Sequence, residues 1–216
     1  MNIEGIIFDL DGTLVNSIAD IAYSMNVVLE ASSYPTHSYE AYETFIGSGI
    51  RNLVGKALPA DAKNEKEIDR VFDEMFRHYK DNCINKTAVY QGVMPLLEQL
   101  QKTTLKMAVL SNKADALTKK VVTHTLPAIF NPVIGLTTEA LKKPNPEVVL
   151  NICKELGLNV NNTLYVGDTS VDIQTAKNAG LISVAVTWGF RSKASLVAEK
   201  PDYIIDSPEE LLDLLS

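Results

Sequence analysis

The sequence contains few of the residues that cross-link small proteins or bind transition metals. Its 216 residues include two cysteines, three histidines and one tryptophan. Cys83 and Cys153 form no metal-binding or redox spacing, so we expect both thiols to be reduced. His37, His78 and His124 show no spacing typical of a zinc site. These shortages argue against a disulfide scaffold and against a zinc centre.

Long apolar runs and excess positive charge are also absent from the sequence. No run approaches the roughly 18 to 20 apolar residues that a membrane-spanning helix needs. The formal net charge of -7 disfavours nucleic acid and acidic membranes as partners. The first residues lead directly into a predicted strand, without the pattern of a secretory signal. We therefore expect a cytoplasmic globular protein, either a monomer or a homodimer.

Apolar runs alternate with helical patterns along most of the chain. The predicted strands are Gly5–Phe8, Lys106–Leu110, Pro132–Gly135, Thr163–Val166, Ser183–Val186 and Tyr203–Ile205. The predicted helices are Met94–Lys102, Ala114–Thr123, Pro146–Leu156, Ser170–Ala179 and a last helix that starts near Ser207. This alternation predicts an α/β fold in which a mostly parallel sheet carries helices on both faces.

The span from Asn16 to Thr87 departs from this alternation. It contains two apolar stripes with helical spacing, around Met25 and Met75, and no convincing strand. A stretch of about 70 residues is far longer than a crossover between parallel strands requires. We predict a helical domain over residues 16–87, inserted into a core formed by residues 1–15 and 88–216. The alternative is that these helices pack directly on the sheet.

Polar side chains follow four of the predicted elements at points where an active site can form. They are Asp9, Asp11 and Thr13; Ser111 and Asn112; Lys143; and Asp168 and Asp172. Taken singly, Ser111 or Asn112 can cap a helix and Lys143 can be a solvated surface charge. Because the carboxyl ends of parallel strands meet at one edge of a sheet, we expect the carboxylates to converge there.

The predicted charges at this edge do not balance without a cation. Four carboxylates contribute -4 and one lysine returns +1. Like charges about 4 Å apart repel by roughly 4 kcal/mol at a surface-like dielectric. Either some carboxylates are protonated or a cation is bound among them. A few hard oxygen ligands, with room for water and phosphate oxygens, favour magnesium over calcium or zinc. The sequence therefore predicts a Mg²⁺ site.

The four polar groups resemble, in order and spacing, the four motifs of the haloacid dehalogenase superfamily. The first motif reads DxDGT and the fourth GDxxxD, and the match extends over nearly the whole chain. The resemblance implies a Rossmann-like three-layer core with a small α-helical cap domain. It also implies a Mg²⁺-dependent phosphatase with an aspartyl-phosphate intermediate. Thr13 favours a phosphatase, because relatives that isomerise sugar phosphates typically have valine at this position. The second aspartate, Asp11, also favours a phosphatase, because dehalogenases do not have it.

The resemblance also assigns roles to the acidic residues. Asp9 matches the nucleophile that attacks phosphorus. Asp11 matches the acid that protonates the leaving oxygen and then the base that activates water. The predicted metal ligands are Asp9, Asp11 through its backbone carbonyl, and Asp168, with Asp172 as a supporting acidic position. The chemistry requires Asp9 to be ionised and Asp11 to hold a proton near neutral pH.

The remaining family positions bind the phosphoryl group of the substrate. Thr13, Ser111 and Lys143 match phosphate-binding residues, and Asn112 supports Ser111. Lys143 is also counted among the catalytic residues. The predicted partner is therefore a small phosphorylated metabolite.

Substrate selection is predicted in the inserted helical span. Gly47, Ser48 and Gly49 allow close approach of the backbone to a ligand, and Arg51 can pair with a substrate carboxylate. The alternative is a helix start with a solvated arginine. This segment resembles the cap loop of phosphoglycolate phosphatases, which makes 2-phosphoglycolate the leading substrate. A pyrophosphatase, a sugar-phosphate phosphatase or mutase, and a receiver-like phospho-acceptor signalling domain are the alternatives.

Overall fold

The computed structural model describes residues 2–215, and its strands form two sheets. The strands are β1 (Gly5–Phe8), β2 (Val15–Asn16), β3 (Ala88–Val89), β4 (Lys106–Ala114), β5 (Val133–Leu136), β6 (Thr163–Gly167), β7 (Ile182–Val186) and β8 (Tyr203–Ile205). The main sheet has the order β5-β4-β1-β6-β7-β8, and every neighbouring pair in it is parallel. β2 and β3 form a separate two-stranded sheet.

The helices divide between two compact units of the chain. They are α1 (Ile18–Ala31), α2 (Tyr39–Phe45), α3 (Gly49–Ala57), α4 (Glu65–Asn82), α5 (Val93–Leu100), α6 (Asp115–Thr125), α7 (Glu147–Leu156), α8 (Ser170–Ala179), α9 (Lys193–Ala198) and α10 (Glu210–Asp213). Short 3₁₀ turns occur at Ala60–Ala62, Glu139–Leu141 and Val160–Asn162. Residues 17–88 form the helical unit, which contains α1 to α4. The flanking residues form the sheet unit, with the main sheet and α5 to α10.

Strand β1 lies inside the main sheet, where both of its faces are covered. All four of its residues are buried, as expected for a parallel strand between two helical layers. Ile7 belongs to a buried cluster that includes Ile152 of α7 and Ala176 of α8. The next side chain, Phe8, points to the opposite face of the sheet. Its ring contacts the ring of Phe130 edge-on, with 5.9 Å between the ring centres. The predicted α/β fold with a mostly parallel sheet is confirmed.

The apolar stripes of the helical unit form its interior. Helix α1 buries Met25 and Leu29, and α4 buries Met75 and Tyr79. The charged side chains of α4 lie on its exposed face, which is the distribution that stabilises an amphipathic helix. The helical periodicity in the sequence thus identified the residues that this unit buries.

One carboxylate is buried in the helical unit and is held by neutral donors. The backbone N–H groups of Lys86 and Thr87 donate to Asp20 at 2.8–3.0 Å, and the Thr87 hydroxyl donates at 2.8 Å. Asp20 is 1% exposed. These hydrogen bonds satisfy the carboxylate away from water and tie α1 to the segment that follows α4.

Several element boundaries differ from the predicted ones. Strand β4 continues to Ala114, four residues beyond the predicted end at Leu110. The last helix begins at Glu210, and the Ser207 hydroxyl donates to the Glu210 carboxylate at 3.0 Å instead of accepting from a backbone N–H as a capping serine does. The β2–β3 pair was not predicted, because two-residue strands carry no detectable periodicity. No helix in residues 2–215 has the length and apolarity that a membrane crossing requires.

Candidate active site

The backbone after β1 turns tightly around the carbonyl of Leu10. The N–H groups of Leu14 and Val15 both donate to this carbonyl, and the N–H of Gly12 donates to the Val15 carbonyl at 2.9 Å. Gly12 has φ +91°, in the region that only glycine adopts readily. A Cβ at this position would lie 2.3 Å from Oδ2 of Asp168. Glycine therefore provides both the turn and the space in which the Asp168 carboxylate lies.

Three carboxylates from separate parts of the sheet unit converge beyond the ends of β1 and β6. Asp9, Asp168 and Asp172 each place one oxygen within 4.8 Å of the others, and all three are buried. Oδ2 of Asp168 accepts from the N–H of Phe190 at 2.8 Å, and the Thr13 hydroxyl donates to Oδ1 at 3.4 Å. The structure thus brings together three of the four predicted acidic side chains.

Lys143 supplies the positive charge inside this cluster. Its Nζ lies 2.7 Å from Oδ1 of Asp172 and 2.9 Å from Oδ1 of Asp9. It also donates to the Leu110 carbonyl at 3.2 Å and lies 5.5 Å from the centre of the Tyr165 ring. Burial lowers the pKa of Lys143, but the Asp172 and Asp9 carboxylates outweigh that effect and hold its pKa well above the usual value. The two carboxylates thus favour the charged form of Lys143.

With all three acids ionised, the cluster would carry more negative than positive charge. Burial raises the pKa of Asp9 and that of Asp168, and the nearby Asp172 carboxylate adds to both effects. Oδ1 of Asp9 is buried and forms no regular hydrogen bond, and the Lys143 ammonium lies 2.9 Å from it as an ion-pair partner. A buried carboxylate oxygen without a donor, among three converging acids, fits a divalent cation.

Asp172 differs from Asp9 because both of its oxygens are bonded to protein groups. Oδ1 accepts from Lys143, and Oδ2 accepts from the backbone N–H and the hydroxyl of Thr169 at 3.0 and 2.7 Å. Thr169 precedes the first turn of α8, so Asp172 also caps that helix. These contacts correspond to the supporting acidic position that was predicted for Asp172.

Asn112 fixes the loop that carries Lys143. Its amide donates to the Lys143 carbonyl at 3.2 Å, and its carbonyl oxygen accepts from the Lys143 N–H at 2.9 Å. Ser111 is buried beside it, and its hydroxyl accepts from the N–H of Lys113 at 3.2 Å. Both residues lie within β4, so the rigid strand positions them, whereas the sequence predicted them in the turn that follows.

Asp11 is separate from the three-carboxylate cluster, although its side chain was counted among the acids that converge. Lys113 Nζ lies 2.9 Å from Oδ1 and 3.1 Å from Oδ2 of Asp11. The Asp11 carboxylate is thus paired with a lysine, and only its backbone carbonyl is left as the predicted metal ligand.

Three residues of the site were not predicted, or were given another role. Lys113 was not singled out, Trp188 was interpreted as a packing residue, and Phe190 was assigned no contact with the site. The indole N–H of Trp188 donates to the Thr13 carbonyl at 2.9 Å, which supports the turn after β1. Of the three residues, only Lys113 could have been found from its neighbours in the sequence. It lies two residues after Ser111, and side chains two residues apart in a strand project from the same side.

The Gly47–Arg51 segment lies in the helical unit at the start of α3. Gly47 and Gly49 have φ +111° and +77°, so both positions need glycine, and Ser48 lies between them. Arg51 forms ion pairs with Glu65 and with Asp69, the latter at 2.8 Å. The guanidinium therefore already has two carboxylate partners inside its own unit. Its contact with a substrate stays a prediction.

Comparison with known proteins agrees with this geometry. The family model described as haloacid dehalogenase-like hydrolase matches residues 6–186. A phosphoglycolate phosphatase of Aquifex aeolicus is 34% identical over 212 residues, which cover 97% of this chain and 95% of the relative. A phosphoglycolate phosphatase of Aliivibrio fischeri is 32% identical and aligns with 100% of this chain and 97% of its own.

The fold is equally similar to solved structures. The crystal structure of a predicted phosphoglycolate phosphatase from Haemophilus somnus superposes with a TM-score of 0.91 at 30% identity, covering 100% of this chain and 99% of the other. Both the carboxylate cluster and the parallel sheet that carries it agree with the motifs found in the sequence. The chain is therefore an enzyme of the haloacid dehalogenase-like hydrolase family and resembles the phosphoglycolate phosphatases within it, as its sequence predicted.

Proposed function

We propose that the protein is a Mg²⁺-dependent phosphatase that hydrolyses 2-phosphoglycolate through an aspartyl-phosphate on Asp9. The observation that carries this proposal is the environment of Asp9. Its Oδ1 is buried without a hydrogen bond, 2.9 Å from the Lys143 ammonium and beside Asp168. A carboxylate oxygen without a donor is available to a metal or to phosphorus, whereas both oxygens of Asp172 are engaged.

In the first proposed step, an Asp9 oxygen attacks phosphorus in line with the bond to the leaving oxygen. The new bond joins Asp9 to phosphorus as the bond to the leaving oxygen breaks, and Asp11 transfers a proton to that oxygen. Lys143 neutralises charge on the phosphoryl oxygens, while the hydroxyls of Thr13 and Ser111 donate hydrogen bonds to them. Their effect is greatest in the transition state, where charge spreads over these oxygens.

The second step regenerates the enzyme. Asp11, which is now a carboxylate, accepts a proton from water as that water attacks phosphorus. The bond between Asp9 and phosphorus breaks, and inorganic phosphate leaves. The same side chain thus acts as acid and then as base, and both steps proceed in line at one phosphorus atom.

The proposed metal ligands are the Asp9 and Asp168 side chains and the Asp11 carbonyl, with Asp172 in support. Mg²⁺ bound there would neutralise the excess negative charge and polarise the phosphoryl group. Because metal binding competes with protonation, it would also lower the raised pKa values of Asp9 and Asp168 and leave Asp9 ionised as a nucleophile requires.

The substrate is proposed from the relatives. Several that are named phosphoglycolate phosphatase match nearly the whole chain at 30–34% identity. We further propose that the helical unit, residues 17–88, is the cap that selects the substrate, with Gly47, Ser48, Gly49 and Arg51 near its carboxylate. The protein would then act on a small phosphorylated metabolite, and pyrophosphate and sugar phosphates are the competing substrates.

The nucleophile is tested with Asp9→Asn and p-nitrophenyl phosphate, with and without Mg²⁺. The amide keeps the shape of the side chain but does not attack phosphorus, so turnover should fall at least about 10³-fold. Asp73→Asn, on the exposed face of α4, is the matched control and should retain full activity. Undiminished turnover in Asp9→Asn would refute the assignment. Stable phosphorylation by acetyl phosphate without turnover on any ester would instead indicate a receiver-like domain.

The substrate is tested separately from the mechanism. We expect kcat/KM for 2-phosphoglycolate to exceed that for 2-hydroxyethyl phosphate, which has the same phosphate group but no carboxylate. Pyrophosphate and glucose 6-phosphate complete the panel. A kcat/KM for either of these that exceeds the value for 2-phosphoglycolate would overturn the proposed substrate. It would leave the proposed mechanism on Asp9 unchanged.

A further inference from the structure

Lys113 is a buried lysine that the proposed mechanism does not yet use. Its side chain is 2% exposed, and its ammonium contacts both carboxylate oxygens of Asp11, at 2.9 and 3.1 Å. The Asp11 side chain is 12% exposed. A lysine that is removed from water to this extent costs several kcal/mol unless a well-placed anion compensates it. The contact with Asp11 provides that compensation.

The two buried lysines of the site contact different carboxylates. Lys143 contacts Asp9 and Asp172, whereas Lys113 contacts Asp11. Lys113 lies near the end of β4, in the stretch between the paired residues Leu110 and Ala114, and its N–H donates to the Ser111 hydroxyl at 3.2 Å. The ammonium therefore fixes the direction in which the Asp11 carboxylate points, because two oxygens bound to one donor cannot rotate without breaking a contact.

We propose that Lys113 is a positioning residue for Asp11. It holds the Asp11 carboxylate in the orientation from which water is deprotonated, and when Asp11 carries the proton the ammonium keeps only the unprotonated oxygen, which leaves the O–H directed at the leaving oxygen. This inference rests on the proposed function, in which Asp11 carries that proton. Lys113 itself forms no bond to the reacting atoms, and the proton passes only between Asp11 and the leaving oxygen or water.

The choice of leaving group makes the proposal testable. An alkoxide leaves only when it receives a proton, whereas p-nitrophenolate is a weak base and leaves without one. Loss of the proton donor should therefore slow hydrolysis of an alkyl phosphate much more than hydrolysis of p-nitrophenyl phosphate. Asp11→Asn provides the reference for this pattern. If Asp11→Asn lowers kcat/KM for both substrates by the same factor, the proposed role of Asp11 fails, and the proposal for Lys113 fails with it.

The decisive measurement is kcat/KM of Lys113→Met on 2-phosphoglycolate and on p-nitrophenyl phosphate. If Lys113 positions Asp11, the loss on the alkyl ester should exceed the loss on the aryl ester by about tenfold or more. Lys119→Met is the matched control: this lysine pairs with Asp115 on α6 and is 58% exposed. It should change neither value. Equal losses on the two esters for Lys113→Met, with the expected pattern in Asp11→Asn, would overturn the role of Lys113 alone.

Two further variants separate positioning from other roles. In Asp11→Asn/Lys113→Met the buried pair is removed as a unit, so no buried charge is left alone and folding is protected. Its activity should equal that of Asp11→Asn, because a positioning residue has nothing left to position. An additional, independent loss would mean that Lys113 binds the phosphoryl group, and it would overturn the proposal. Lys113→Arg keeps the charge and should restore at least part of the activity on the alkyl ester.

Discussion

The candidate site in the sheet unit and the surface of the helical unit use ion pairs in opposite ways. In the sheet unit, Lys113 and Lys143 form ion pairs whose side chains are almost completely buried. In the helical unit, Arg51 and Arg70 form ion pairs with side chains that are 38% and 42% exposed. The comparison shows where charge serves chemistry, because a buried pair is costly and is retained only where a fixed charge is needed. Exposed pairs contribute little to stability.

The largest effect that this comparison predicts follows removal of a buried lysine. Lys143→Met leaves Asp9 and Asp172 without their cation and should destabilise the protein by about 3–5 kcal/mol. Phosphatase activity should fall at least about a hundredfold. Urea denaturation and p-nitrophenyl phosphate turnover measure these changes. Lys193→Met is the control, because this lysine pairs with Asp206 at the surface with 57% of its side chain exposed. Similar destabilisation in both variants would contradict the comparison.

The next effect concerns metal binding and pH. The folded-state pKa values of Asp9 and Asp168 are raised, so the metal-free folded protein holds protons that the unfolded chain has lost. The stability that these groups contribute is therefore lost as pH rises through their folded-state pKa values. Mg²⁺ replaces the protons in that range, and at about 100 times its Kd it should stabilise the protein by about 2.7 kcal/mol.

We expect the rise in Tm with Mg²⁺ to be larger at about pH 8 than at about pH 5.5, because protons compete with the metal at the lower pH. Differential scanning fluorimetry measures it. Asp168→Asn should remove most of the rise at both pH values, whereas Asp73→Asn should not. A rise in Tm that is independent of pH would contradict the proposed ligands.

A smaller effect tests the one buried carboxylate of the helical unit. Asp20→Asn removes the charge that accepts from Lys86 and Thr87 and should cost about 1.5–3 kcal/mol. The amide hydrogens of these two residues should exchange faster with solvent, as hydrogen-exchange mass spectrometry can measure. Exchange that is unchanged at residues 86–87 would show that Asp20 does not hold this segment.

The smallest effect is expected at an exposed pair. Arg51→Ala should raise KM for 2-phosphoglycolate by no more than about fivefold, since exposed ion pairs are worth up to about 1 kcal/mol. The KM for p-nitrophenyl phosphate should change less, because that substrate has no carboxylate. Arg70→Ala, which removes pairs with Glu67 and Glu74 on α4, is the matched control. Equal changes for both substrates would remove Arg51 from the proposed binding site.

The predictable part of the site was local in sequence. Asp9 and Thr13 follow an apolar run, and Asp168 and Asp172 follow another, so their convergence followed from the geometry of a parallel sheet, whereas the Asp11 side chain pairs with Lys113 instead. The unpredicted contacts join residues that are far apart in sequence. Lys113 and Asp11 are separated by 102 residues.

The indole of Trp188 shows the same limit. It is 175 residues from the carbonyl of Thr13, to which it donates. Such contacts depend on the twist of the sheet and on rotamers, which periodicity does not encode. The two-residue strands β2 and β3 were missed because they are too short to show an alternating pattern of apolar and polar residues.

The position of β1 within the sheet has a consequence for how the enzyme assembles. Gly5 is paired with Lys106 on one side and with Thr163 on the other, so the strand that precedes Asp9 has only distant partners. Pairing over such separations is slow, because loop closure must precede any gain from the contacts. During synthesis one edge of β1 stays open until residue 106 is available, and the other stays open until residue 163. Nascent chains interrupted before that point would be inactive. They would expose the unpaired N–H and C=O groups of β1 and would therefore need chaperones to prevent aggregation.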